Sequence, residues 1–137
     1  YTQKLSLDMM IPPMGQAALG IEIVTGNDKV REIAESLKDL NTFICTQIER
    51  DFISKIGAGC SAPVACNAVI NDNVITFRVM LGFPDGTNIM QEKVVISVEE
   101  SKNLGSELAQ KMIDNGAMEL LKKAEKIAFK DEMPQRL

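Results

Sequence analysis

The chain contains no histidine and no tryptophan, and only one tyrosine and five phenylalanines. Without imidazole it cannot by itself supply a Ser/His or Cys/His nucleophilic pair, a histidine metal ligand or a histidine proton shuttle. Its three cysteines, Cys45, Cys60 and Cys66, form an odd set with no CxxC spacing. That pattern speaks against a disulfide framework and against zinc, so no metal is expected. Unpaired thiols suit a reducing compartment, and a cytoplasmic location is expected. No apolar run approaches the roughly 18 residues of a spanning helix, and no basic start precedes a signal-like stretch, so no membrane partner is expected. A basic stripe is also lacking: 15 Lys+Arg stand against 19 Asp+Glu, for a net charge of -4, with the signs interspersed. Nucleic acid is therefore not an expected partner. The first residue is Tyr1 rather than methionine, which fits a fragment of a longer polypeptide.

What is present is an ordinary globular balance. The 137 residues are 45% apolar and 25% charged, enough to bury one core. Tyr1 to Leu7 carries no period, and Ile11-Pro12-Pro13-Met14-Gly15 reads as an extended or turning connector. Ala18 to Val24 is short and rich in β-branched residues, so the pattern predicts a strand, closed by Thr25-Gly26-Asn27-Asp28. Val30, Ile33, Ala34, Leu37 and Leu40 recur at helical spacing and predict a helix over 29–40. A second helix over 43–56 buries Ile44, Ile48, Phe52 and Ile56 and stops at Gly57. Arg50 lies about 200° around that helix from Ile48 and points away from its core face. Glu49 is read most simply as the local partner of Arg50.

Strands are predicted over 64–70, 74–81 and 89–98, joined by Asn71-Asp72-Asn73 and Pro84-Asp85-Gly86-Thr87, which makes an antiparallel meander. Ile75, Phe77, Val79 and Leu81 share one side of the middle strand and Thr76 and Arg78 the other, so helices are expected to cover one face. A long helical pattern follows through Leu104, Leu108, Met112, Ala117, Leu121 and Ala124, with Gly116 inside it as a break or a close-packing point. The charged tail from Phe129 is expected to fray. The expected class is α+β: a three-stranded antiparallel sheet with helices on one face, preceded by a strand-containing segment. Residues 1–25 are expected to belong with a neighbouring N-terminal domain and 26–137 to form the C-terminal domain.

Only Cys60 has a suggestive chemical setting, between Gly59 and Ser61 on the flexible segment Gly57 to Pro63. Cys45 flanks the apolar face of its helix and Cys66 alternates in phase with Val64, Ala68 and Ile70. Both are expected to be buried structural thiols. For Cys60, burial and display are evenly matched on spacing alone. A noncatalytic α+β interaction module with a structural cysteine, or a redox-sensing thiol, also fits these residues.

The block Glu49-Arg50-Asp51-Phe52, Ile56 and Gly57-Ala58-Gly59-Cys60-Ser61-Ala62-Pro63-Val64 resembles the cofactor-attachment signature of the porphobilinogen deaminase (hydroxymethylbilane synthase) family. Pro13 to Glu22 resembles the segment before that family's third domain. Leu81-Gly82-Phe83-Pro84-Asp85-Gly86 resembles its second hairpin, and Asn115-Gly116-Ala117 with Leu120-Leu121 its last helix, so the likeness covers nearly the whole chain in order. The resemblance implies a transferase of haem and related tetrapyrrole biosynthesis, which condenses four porphobilinogen molecules into a linear tetrapyrrole with loss of ammonia. It implies Cys60 as the catalytic residue, carrying a dipyrromethane cofactor through a thioether. Gly59, Ser61, Arg50 and Gln16 are the cofactor-binding candidates it implies. Loss of ammonia leaves an electrophilic methylene, and a thiolate is a soft nucleophile suited to capture it. A guanidinium such as that of Arg50 can hold the acetate and propionate groups of pyrroles, although an interdomain ion pair suits it as well. The implied partners are porphobilinogen, pyrrole intermediates and the N-terminal domains of the same enzyme, where the family's aspartate and most of its substrate-binding arginines lie. The piece alone is therefore expected to have no turnover and an unmodified Cys60. Ala17, Ala58 and Ala65 stand where the family carries glycine, and each methyl narrows the backbone conformations open to its segment.

Overall fold

A computed structural model describes residues 2–59 and 62–131, side chains 129–131 excepted. Helix α1 spans Asp28–Ser36, opened by the Asn27 side chain accepting from the Val30 amide at 3.2 Å. The single helix expected over 29–40 stops early because Asp39 begins the next one, its carboxylate accepting from the Thr42 amide at 2.7 Å. Helix α2 runs Leu40–Ile56 and ends where Gly57 takes a left-handed conformation, φ 71°, which glycine adopts without steric penalty.

The meander follows as expected: β1 (Val64–Asn71), β2 (Val74–Leu81) and β3 (Met90–Ser97), antiparallel in the order β1-β2-β3. Asp72 and Asn73 both carry positive φ, 48° and 64°, the geometry that a two-residue hairpin turn demands. Across the buried face, Ile70, Ile75 and Ile96 align in one row, and Ala68, Phe77 and Val94 in the next. The opposite face carries the row Asn67, Arg78 and Lys93.

After a single 3-10 turn, Val98–Glu100, the long helical pattern splits into α3 (Leu104–Asp114) and α4 (Ala117–Asp131). Gly116 is the break, with φ 95°. Helices α2 and α3 pack together over the sheet, and Phe52 meets Phe77 edge-to-face with ring centroids 5.7 Å apart. Their contact is close because α3 presents Gly105 to the α2 backbone, where a Cβ would run into the Ile48 carbonyl oxygen. Lys111 on α3 pairs with Glu92 on β3 at 2.9 Å.

The strand expected over 18–24 is not formed: those residues carry no regular structure, and Leu19, Ile21 and Val24 are exposed. A strand needs a paired partner, and among the described residues no strand pairs with 18–24. The part of the tail over 132–137 lies outside the described residues.

Candidate functional site

The loop from Gly57 to Pro63 is held at both ends by rigid elements. Helix α2 delivers it through the left-handed Gly57, and β1 takes up the chain at Val64. Within it the Ala62 amide donates to the Gly59 carbonyl at 3.0 Å, and the Gly82 amide donates to the Pro63 carbonyl at 3.3 Å. Gly59 is exposed, and a Cβ there would meet nothing within 4 Å. Cys60 and Ser61 lie outside the described residues. The open surround of Gly59, the thiol in the sequence and the exposed guanidinium of Arg50 on α2 fit a bulky polycarboxylate tethered through sulfur.

The other two cysteines are buried, as expected. Burial pushes the Cys66 thiol up to about 12, with the Glu49 charge adding to the effect. Burial, and secondarily Glu49, also raise Cys45, while the Ile70 amide partly opposes them. Neither sulfur is a competent nucleophile near neutral pH, because the thiolate is the reactive form.

Glu49 departs from its expected role. It is not the partner of Arg50. Its side chain turns inward, leaving the residue only 3% exposed. Oε1 accepts from the Ala68 amide and Oε2 from the Gly15 amide, each at 2.7 Å. Ala68 belongs to β1, an edge strand, so the carboxylate satisfies an amide that the sheet itself leaves unpaired. Burial raises the Glu49 carboxyl above the usual glutamate range, and the two amide bonds act against that rise. A groove of about 310 Å³ opens beside it, lined by Gln16, Thr42, Cys45, Asn67 and Ile70 among others. Gln16 is thus brought to the α2–β1 edge by its neighbour Gly15. The sequence signal that could have found this is a glutamate one helical turn after Cys45, on the margin of the apolar face.

Ala17 holds a backbone conformation that favours glycine. Its φ is 71°, in the left-handed region that disfavours L side chains. Ala17→Gly is expected to relieve that strain, offset in part by the greater freedom of an unfolded glycine. The net gain is about 0.5 kcal/mol, read as a rise of about 2–3 °C in Tm.

The fold and site together define a two-layer α+β domain, three antiparallel strands under packed helices, with a loop joining α2 to β1. Residues 43–114 match the family described as "Porphobilinogen deaminase, C-terminal domain". Similar proteins include the porphobilinogen deaminase of Sulfurovum sp. (strain NBC37-1), 58% identical over 143 residues that cover 100% of this chain and 44% of that protein. The porphobilinogen deaminase of Campylobacter hominis is 44% identical, with 93% of this chain and 41% of the relative covered. That of Aliarcobacter butzleri is 43% identical, with 95% and 42% covered. The chain belongs to the porphobilinogen deaminase family and corresponds to its C-terminal portion. It spans less than half the length of these curated relatives. No described helix is long and apolar enough to cross a membrane.

Proposed function

We propose that this chain is the C-terminal, cofactor-anchoring part of a hydroxymethylbilane synthase, a cytoplasmic transferase that joins four porphobilinogen molecules into a linear tetrapyrrole with release of ammonia. The observation that carries the reading is that the family match over 43–114 contains the whole block from Glu49 to Val64, with Cys60 at its centre. Cys60 is the covalent anchor of the dipyrromethane. When bound, that group supplies the primer on which pyrrole units are added. Arg50 offers a guanidinium to ring carboxylates, Gly59 and Ser61 offer backbone donors near the sulfur, and Gln16 approaches from the segment that Glu49 holds.

Residues 1–25 belong with the N-terminal domains of the longer protein, and 26–137 form the anchoring domain. The exposure of Leu19 at 97% and of Ile21 and Val24 supports this, because such a run is buried when a sheet edge accepts it. The chain alone has no turnover, since the remaining catalytic groups lie in the absent domains.

Intact mass measurement of the full-length protein tests the anchor. The wild type should carry the added mass of two linked pyrroles on the peptide containing Cys60, and Cys60→Ala should lack it and make no bilane. An unmodified Cys60 in active full-length protein would refute the reading, as would bilane production from porphobilinogen by this chain alone.

A further inference from the structure

The stretch from Asp8 to Gly15 crosses the domain as a strap with three ties. Asp8 Oδ1 lies 3.2 Å from Arg78 Nε and 3.7 Å from Lys93 Nζ on the open face of the sheet. Ile11 is buried. Gly15 donates its amide to Glu49 at the free edge of β1. The first tie is a surface ion pair that salt screens. The third is of another kind: a buried carboxylate with both oxygens committed to backbone amides and, among the described residues, no ion pair.

We infer that Glu49 is a positioning residue whose carboxylate, only while ionised, ties Gly15 to the outer edge of β1 and so fixes Gln16, Ala17 and Ala18 as one wall of the groove. An ionised carboxylate offers acceptors at both oxygens. Protonation turns one oxygen into a hydroxyl that accepts more weakly and whose proton competes for the space in front of an N–H, so one of the two bonds is loosened. Ala68 is fixed within a strand, whereas Gly15 sits in a turn whose own bonds are Gln16 to Pro13 at 3.3 Å and Ala18 to Gly15 at 3.0 Å. The Gly15 tie is the one released. α2 and β1 are the two elements that flank the Cys60 loop, so the same carboxylate sets the Gln16 segment relative to that loop.

The charge of Glu49 is governed locally. Of the residues lining the groove, only Cys45 and Glu49 titrate, and Cys66 faces the carboxylate from β1. Burial keeps both thiols protonated through neutral pH. The strap contributes no titratable group between Ile11 and Ala18. Arg50 is exposed. On α3, Glu107 is exposed and Lys111 is taken by Glu92. Glu49 is therefore the member of this cluster that changes charge as pH falls, sooner than an ordinary glutamate because burial raises it.

The inference stands whether or not Cys60 carries a cofactor, and its test is independent of activity. Amide NMR with hydrogen exchange on this chain, corrected for intrinsic exchange, should show the Gly15 and Ala68 resonances titrating together with a midpoint above the ordinary glutamate range. Protection at Gly15 should fall about tenfold as pH drops through that midpoint, the loss of one hydrogen bond. Glu49→Gln should leave Gly15 weakly protected at every pH, because the amide group turns an N–H toward one of the two donors. Gly15 protection that is constant with pH, or equal in wild type and Glu49→Gln, would overturn the inference. The wild-type titration decides the question if the variant fails to fold.

Discussion

Gly105→Ala is expected to be the most damaging small substitution in the domain. Helices α2 and α3 touch backbone to backbone at this point: the added methyl would overlap the Ile48 carbonyl oxygen and lie 3.0 Å from the Phe52 amide nitrogen. Neither atom can rotate away as a side chain would, so the helices must separate. Separation loosens Leu104, Leu108, Phe52 and Ile48, which fill the space between the helices and the sheet. Alanine's better helix propensity returns only about 1 kcal/mol. Overpacking against backbone, added to lost core contacts, should cost about 3 kcal/mol or more. That is a large fraction of the roughly 5–15 kcal/mol that holds a domain folded. In urea the midpoint should fall by about 1–2 M with little change in slope. A midpoint equal to that of the wild type would mean that the two helices do not cross so closely.

The second large effect is expected at Glu49. Glu49→Ala removes the acceptor of two backbone amides at once and leaves the Ala68 N–H at the strand edge without a partner. One buried unsatisfied donor costs about 1–3 kcal/mol, and the void left by the side chain adds to it, so a loss of about 2–4 kcal/mol in denaturant unfolding is expected. The pH dependence has a definite sign. Burial, the dominant cause, raises the folded carboxyl above its unfolded value of about 4.3. Between the two values the folded chain binds more protons than the unfolded chain. This group's contribution to stability therefore falls as pH rises from about 4.3 to the raised folded value, and stays at its lower level above it. Glu49→Ala and Glu49→Gln should both erase that segment of the stability–pH curve. A wild-type curve that instead climbs through the same window, with the climb lost in both variants, would show that the amide bonds outweigh burial.

Much of the architecture was legible because it follows from short-range rules. Ile75, Phe77, Val79 and Leu81 alternate with Thr76 and Arg78 along β2, and β1 is joined to it through Asn71-Asp72-Asn73, whose left-handed turn residues fit a tight hairpin. Gly116 was visible as a candidate break because glycine alone enters the conformation it holds at little cost. The boundary between α1 and α2 was misplaced because Asp39 and Asn41-Thr42 both resemble helix starts, and only the geometry of the Thr42 amide decides between them. Residues 18–24 have strand character in their side chains, yet a strand is a relation between two segments, and among the described residues none pairs with them. Glu49 was hidden for a different reason. A glutamate beside an arginine on a helix reads as solvated surface, and its true partners are backbone amides 34 and 19 residues away. Backbone donors leave no mark in a sequence. The cysteine loop stands out in the sequence only through its likeness to a known block, while the spacing of its residues leaves burial and display equally open.

The small side chain of Ala68 beside Glu49 also acts on strand alignment. Side chains of a strand alternate with period two, so a shift of β1 by a single residue would turn Cys66 and Ala68 outward and bring Asn67 or Val69 opposite the helix. The helix would then face the amide side chain of Asn67 or the larger Val69 in place of the Ala68 methyl, beside the buried Glu49 carboxylate. A misaligned hairpin would therefore bury a polar or bulkier group where β1 meets α2, and that packing selects against it.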